Sequence, residues 1–220
     1  MRHFIEELED LRKQLLEMAG LVELAVHDSV LALMERDQER AQRVLVNEAR
    51  INQMEIRIDE LATRLLALNQ PMARDLRFLT AALKINNDLE RMGDLAVNIV
   101  ERALSLMAQP PVKPLIDIPR MAQLAESMVR NSLDSFVKRD AELARSVLLS
   151  DDAVDDLRDT ISKELVGFME RDPSTVSRAL DLILVSRNLE RIADHATNIA
   201  EDVLFVVQGV DVRHHAEEHD

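Results

Sequence analysis

A run of acidic residues that occurs twice is the part of this chain whose residue types and spacing could do chemistry. Residues 87–101 read NDLERMGDLAVNIVE, and residues 187–201 read RNLERIADHATNIAE. A helix advances by about 100° per residue, so the oxygen-bearing side chains of each run fall on one narrow stripe. These side chains are Glu90, Asp94, Asn98 and Glu101 in the first run and Glu190, Asp194, Asn198 and Glu201 in the second. Acidic residues four apart on a helix repel each other, so we expect a positive charge near each stripe to offset this repulsion.

A second pair of oxygen-bearing residues precedes each run. Glu48 and Asn52 stand four residues apart in the first half, and Asp151 and Asp155 stand at the matching places 103 residues later. If the helices that carry these pairs pack against the acidic stripes, several oxygen ligands converge in each half. Oxygen ligands suit hard cations such as magnesium, manganese, calcium or iron, and zinc is also a candidate.

Two other interpretations of the stripes stay open at this point. Acidic side chains four apart are common on solvated helix faces, and Arg91 and Arg191 could neutralise them without any metal. The repeat could also preserve packing, with Asn98 and Asn198 as hydrogen-bond partners between helices. Isolated histidines such as His195 are predicted to be structural.

The composition indicates an aliphatic, helical protein. Apolar residues make up 47% of the 220 residues, aromatic residues only 2%, and there are only 4 glycines and 6 prolines. The absence of cysteine excludes disulfides and thiolate metal sites. A net charge of −14 disfavours nucleic acid and favours cations or basic protein surfaces as partners. The acidic N-terminus and the lack of a long apolar run predict a cytoplasmic protein.

The chain is built from two similar halves joined by a proline-rich linker. Four of the 6 prolines fall within residues 108–119, and Arg36-Asp37 recurs as Arg139-Asp140, again 103 residues later. We therefore predict one domain over residues 1–108, a second over 116–210, and a disordered tail over 211–220.

Apolar residues at spacings of three and four predict three helices in each half. Asp37 and Asp140 are the predicted N-caps of the two second helices. Short connections make neighbouring helices antiparallel. The predicted fold is therefore all-α, with two tandem, pseudo-symmetric three-helix bundles and six helices in total. The predicted helices span about 5–35, 38–68 and 72–107 in the first half, and a helix beginning near 121, then 140–170 and 174–207, in the second.

Three features together resemble the PhoU family over about residues 5–207: the doubled L-E-R-[IM]-x-D-x-x-x-N-I motif, Asp75-Leu76-Arg77 after Gln70-Pro71, and the two-fold bundle pattern. The resemblance implies a duplicated bundle whose E(D)-x-x-x-D motifs bind multinuclear iron clusters or other metal ions in some members. The motif carries over to Glu90 and Asp94, to Glu190 and Asp194, and to Asp151 and Asp155. It departs at Glu48 and Asn52, where a neutral amide replaces the second acid, so a weaker site in the first half is the expectation.

The resemblance also implies a function. Proteins of this family are non-enzymatic negative regulators of phosphate uptake and of phosphate-starvation signalling. Such a regulator acts between the ATPase of the phosphate ABC transporter and a phosphate sensor histidine kinase, and reaches the membrane only through these partners. The resemblance leaves homodimer formation open.

Three alternatives remain at the level of sequence. A helical adaptor without metal would dock its acidic stripes onto a basic partner surface. A ferritin-like carboxylate metalloenzyme is less favoured, because none of the histidines has a glutamate three residues before it. A direct phosphate sensor is disfavoured by the net charge, and we expect no tight phosphate binding by the metal-free protein.

Overall fold

A computed structural model describes residues 2–209 and shows seven α-helices there, with one short 3-10 helix. The predicted tail over residues 211–220 lies outside the described residues. The first half forms α1, α2 and α3, and the second half forms α4 to α7. The helices are α1 (Arg2–Glu35), α2 (Gln38–Asn69), α3 (Ala73–Met107), α4 (Asp117–Lys138), α5 (Ala141–Leu148), α6 (Asp151–Arg171) and α7 (Val176–Gln208), with the 3-10 turn at Pro173–Thr175.

The all-α architecture of two three-helix bundles is confirmed, since α5 and α6 together take the place of the predicted fifth helix. The prediction of one continuous helix over 140–170 was wrong, because the helix breaks at Leu149 and Ser150. The Ser150 hydroxyl donates to the carbonyl of Ser146 at 2.9 Å, an alternative that competes with regular helix bonding. Two acidic residues follow at once, and these favour a new helix start.

Both predicted N-caps are confirmed. Asp37 accepts hydrogen bonds from the backbone N–H groups of residues 39 and 40, and Asp140 accepts them from those of residues 142 and 143. Just before Asp37, at the end of α1, the Arg36 guanidinium donates to the carbonyls of Leu106 and Met107, at 3.2 and 2.5 Å. Since Arg36 follows α1 and the two carbonyls close α3, these helices end on the same side, as an up-down-up bundle requires.

The two bundles meet along α3 and α7, which run antiparallel. Lys84 near the start of α3 donates to Asp202 near the end of α7 at 2.8 Å, and Ser105 near the end of α3 donates to Asp181 near the start of α7 at 3.0 Å. Buried aliphatic side chains from all seven helices form one continuous core. The domain limits at 108 and 116 stay a prediction. Over residues 2–209 no helix combines the length and hydropathy that a membrane span needs.

Candidate functional site

The two acidic stripes are held against the second helix of each bundle by a close approach of small and branched side chains. Gly93 of α3 lies between Glu90 and Asp94, and a Cβ at Gly93 would stand 3.3 Å from two atoms of Ile51 on α2. The matching residues of the second half are Ala193 and Val154, both buried. The first half therefore pairs glycine with isoleucine, and the second pairs alanine with valine. The methyl group that alanine adds is offset by the one that valine lacks, so the total side-chain volume is similar in the two halves.

In the first half the predicted residues form two groups. Glu48 accepts a hydrogen bond from the Asn52 amide at 3.0 Å, while Oδ1 of Asn52 is buried without a hydrogen-bond partner. Burial, and then the neighbouring Asp94 carboxylate, raise the pKa of Glu90. Arg91 partly neutralises these two carboxylates, since its Nε lies 3.5 Å from Glu90 and its Nη1 lies 3.8 Å from Asp94. No hydrogen bond joins the Glu48–Asn52 pair to Glu90 or Asp94 within the described residues.

In the second half all four predicted carboxylates come close enough to influence each other. Burial raises the pKa of Asp151 to about 6, and the charges of Asp194 and Asp155 are the next causes. The pKa of Glu190 is raised by burial and then by Asp194. The pKa of Asp194 is raised as well, by burial first and then by Asp155, although its side chain is exposed at one edge. Glu190 lies one turn before Asp194 on α7 and is the fourth carboxylate of this cluster.

Arg158 of α6 supplies a positive charge inside this second group, and the sequence analysis missed it. Its Nη1 donates to Glu190 at 2.9 Å and lies 3.7 Å from Asp155. The matching position of the first half, 103 residues earlier, holds Glu55, whose carboxylate contributes to the raised pKa of Glu90. Aligning the two halves at that offset would have found both residues. The two faces therefore differ in where their charges lie: Glu55 adds a carboxylate to the first, and Arg158, which also pairs with Asp159, adds a guanidinium to the second.

The donors are not arranged as a ready-made metal centre. Among residues 2–209, no three or more acidic or histidine side chains are placed so that they could hold one metal ion. The donor chemistry nevertheless fits a hard cation, since the side chains present are carboxylates and the free amide oxygen of Asn52. Occupation would require these side chains to rotate toward a common point.

His195 and Asn198 of α7 take structural roles, and Asn198 does so as the packing interpretation expected. The His195 Nδ1–H donates to the buried Asp88 carboxylate at 2.7 Å, and the Asn198 amide donates to the same oxygen at 3.3 Å. Both bonds join α7 to α3. Asn98, the counterpart of Asn198, is exposed on its helix. The stripe of the second half therefore divides between two neighbours: Glu190 and Asp194 lie beside α6, while Asn198 and Glu201 lie beside α3.

Comparison with known proteins gives consistent matches over almost the whole chain. The family model described as "PhoU domain" matches twice, over residues 15–103 and 118–203. A Pseudomonas putida protein named "Phosphate-specific transport system accessory protein PhoU homolog" is 44% identical over 97% of this chain and 84% of its own length. An Aquifex aeolicus protein of the same name is 40% identical over 95% of both chains.

Solved structures agree with the sequence matches. The crystal structure of PhoU from Pseudomonas aeruginosa superposes with a TM-score of 0.92 and 43% identity, covering 94% of this chain and 100% of that one. The phosphate transport system regulatory protein PhoU from Streptococcus pneumoniae superposes with a TM-score of 0.87 and 30% identity, covering 95% and 99%.

Proposed function

We propose, from the premise that this chain belongs to the PhoU family, that it is a negative regulator of phosphate uptake and of phosphate-starvation signalling. The observation that carries the proposal is similarity, over 94–97% of this chain, to accessory proteins of phosphate-specific transport systems in sequence and to PhoU in fold. In this role the chain is a cytoplasmic adaptor between the transporter ATPase and a sensor histidine kinase.

An adaptor suits the side chains better than an enzyme does. The acidic residues of the two faces are spread along helices, and their nearest positive charges are arginines of the same bundle. A ferritin-like di-metal enzyme would bind its metals with histidines beside these glutamates, and His195, which follows Asp194, is hydrogen-bonded to Asp88 instead. The proposal is therefore that the chain acts through binding rather than turnover.

The function can be tested in the organism that encodes the chain. Deleting the gene should switch on a phosphate-starvation reporter in phosphate-rich medium, and restoring the chain should switch it off. Purified chain should also bind the isolated transporter ATPase, measured by calorimetry. A reporter that stays off after deletion, together with no ATPase binding, would refute the regulatory role.

We further propose that the acidic faces bind metal ions, with iron, manganese, magnesium and zinc as candidates. The residues that would hold an ion are Glu48, Asn52, Glu90 and Asp94 in the first half and Asp151, Asp155, Glu190 and Asp194 in the second. A bound cation would neutralise carboxylates whose mutual repulsion is otherwise unfavourable, and would give each face a fixed docking shape.

The two halves should differ in affinity, because Asn52 offers a neutral amide oxygen where the second half has the Asp155 carboxylate. The Glu48–Asn52 pair also shares no hydrogen bond with Glu90 or Asp94 among the described residues. In the second half, by contrast, burial and then neighbouring carboxylates raise the pKa values of Asp151, Glu190 and Asp194. The first half is therefore the proposed weaker site, although Arg158 offsets part of the second-half charge.

Metal content separates this proposal from a metal-independent adaptor. Protein purified without chelator is analysed for bound metal and titrated with Mn²⁺ by calorimetry. The Glu90→Ala/Glu190→Ala variant should lose most of the metal, while Arg158→Gln should gain affinity in the second half. Glu60→Gln, which changes an exposed glutamate on α2, is the control. Identical metal content in the double variant and the unmodified chain would reject coordination by these residues.

A further inference from the structure

An open cleft rich in arginine lies where the beginning of α3 meets the ends of α4 and α7. It has a volume of about 490 Å³, and four arginines line it: Arg12, Arg74, Arg77 and Arg139. Asp75 and Arg77 of the sequence motif Asp75-Leu76-Arg77, which the acidic faces do not use, form part of its wall. A concentration of positive charge is unexpected in a chain with 41 acidic and 27 basic residues.

Three of these arginines have no carboxylate partner among the residues that the structure describes. Arg12 donates to Glu9 at 2.7 Å and lies over the ring of Phe78. Within residues 2–209, by contrast, Arg74, Arg77 and Arg139 take part in no ion pair. Nε of Arg77 is buried and has no hydrogen-bond acceptor. The charge of Arg77 is therefore not compensated by any carboxylate among residues 2–209, and an anionic group at the cleft surface would compensate it.

The arginines are not a by-product of the duplicated scaffold. At the 100-residue offset of the acidic runs, Arg74 and Arg77 match Ser174 and Ser177, so these two arginines are not repeated in the second half. Arg139 matches Arg36, whose guanidinium is occupied with carbonyls at the end of α3. Arg139 makes no such bond to the end of α7 within the described residues, and its charge faces the cleft.

We propose that this cleft binds an acidic segment of a partner protein. Arginines recognise carboxylates through paired, charge-assisted hydrogen bonds. The cleft is much larger than a single small oxyanion, and apolar side chains complete its lining, including Ile5 and Val207, which are 56% and 38% exposed. An extended peptide that alternates carboxylates with aliphatic side chains meets both requirements. The lining also contains two carboxylates, Glu9 and Asp75, so the four arginines leave it a net charge of +2.

This inference rests on the proposed adaptor function, which provides the partner proteins, but it concerns a surface separate from the acidic faces. Peptide binding is measured on the isolated full chain and needs neither transporter nor kinase. Failure of the peptide assay would therefore leave the regulatory role standing, and failure of the regulatory assays would leave the peptide result standing.

The test uses a fluorescein-labelled peptide of alternating glutamate and leucine, with anisotropy as the readout. A peptide in which glutamine replaces every glutamate is the first control. Arg74→Ala/Arg77→Ala removes two arginines from the cleft. Arg50→Ala/Arg57→Ala removes the same charge from a different surface, on α2, and is the matched control. Circular dichroism and thermal melting verify that both variants fold.

The unmodified chain should bind the acidic peptide, and added salt should weaken the binding. The cleft variant should raise the Kd by about tenfold or more, and the control variant by less than about twofold. Equal weakening by both variants would show binding to overall charge and overturn the proposal. Equal binding of the glutamine peptide would overturn it too. So would binding to vesicles of anionic phospholipid, lost in the cleft variant, with no binding of the peptide.

Discussion

Asp151→Asn should stabilise the folded protein at neutral pH, although it removes an acidic residue from a helix start. Asp151 lies in the first turn of α6, where the helix dipole normally favours a negative charge. In this fold the same carboxyl is half-buried and stands close to Asp194 and Asp155. The two environments act in opposite directions on its charge, and the raised pKa shows that burial and repulsion outweigh the dipole.

The magnitude follows from the pKa of Asp151, which rises from 3.8 to about 6. Such a rise corresponds to about 3 kcal/mol if all of it acted on folding. Solvent screens a side chain that is only half-buried, so we expect about 1 kcal/mol in practice. The folded state holds the proton more tightly than the unfolded state. Stability from this group is therefore full below about pH 4, falls as the pH rises, and is lost above about pH 6.

Asp152→Asn provides a matched control. Asp152 lies in the same first turn of α6 and its side chain is exposed, so its removal costs the same dipole interaction and the same net charge. The free energy of unfolding is measured by urea denaturation in chelator, so that bound cations do not mask the effect, at pH 4.5 and pH 7.5.

We expect Asp151→Asn to be more stable than Asp152→Asn by about 1 kcal/mol at the higher pH, and the difference to shrink toward zero at the lower one. If the two variants are equally stable at pH 7.5, the carboxylates of α6 and α7 do not repel as the structure indicates. A difference that does not change with pH would mean that side-chain packing, not charge, is responsible.

Three further predictions concern packing and helix ends. Ile51→Val should destabilise the unmodified chain by about 1 kcal/mol, but it should cost less in a Gly93→Ala background, because the valine makes room for the added methyl group. A double-mutant cycle by urea denaturation measures the coupling free energy between the two positions. A coupling of zero would show that residues 51 and 93 do not contact each other. Gln70→Gly should raise the free energy of unfolding by about 0.5–1 kcal/mol, since Gln70 ends α2 in a left-handed conformation with φ of 46°; a lower melting temperature would contradict this. Asp88→Ala should destabilise the protein by about 2 kcal/mol, because it removes the carboxylate that accepts the His195 hydrogen bond between the bundles. The loss is measured by thermal melting. An unchanged melting temperature would show that the Asp88–His195 hydrogen bond does not stabilise the fold.

Much of the scaffold could be predicted from the sequence because it depends on local rules. The N-caps at Asp37 and Asp140 follow from the residue types alone, and the span of α3 was predicted to within one residue at each end. The break between α5 and α6 was not predicted, because apolar spacing continues across it while hydroxyl hydrogen bonds near Ser150 interrupt the helix. The candidate site was predicted less completely. The acidic residues were identified, but Arg158 and Glu55 were not, although both positions were visible in the repeat.

The sequence by itself determined the helices, the duplication and the two acidic stripes, because these depend on the 3.6-residue period and on residues close together along the chain. Only the tertiary structure decided what each stripe faces. It placed Arg158 against Glu190, joined His195 to Asp88, and gathered Arg74, Arg77 and Arg139 from two helices into one cleft. Those contacts depend on how distant helices pack, so residues with the same pattern in the two halves acquire different charges around them and different roles.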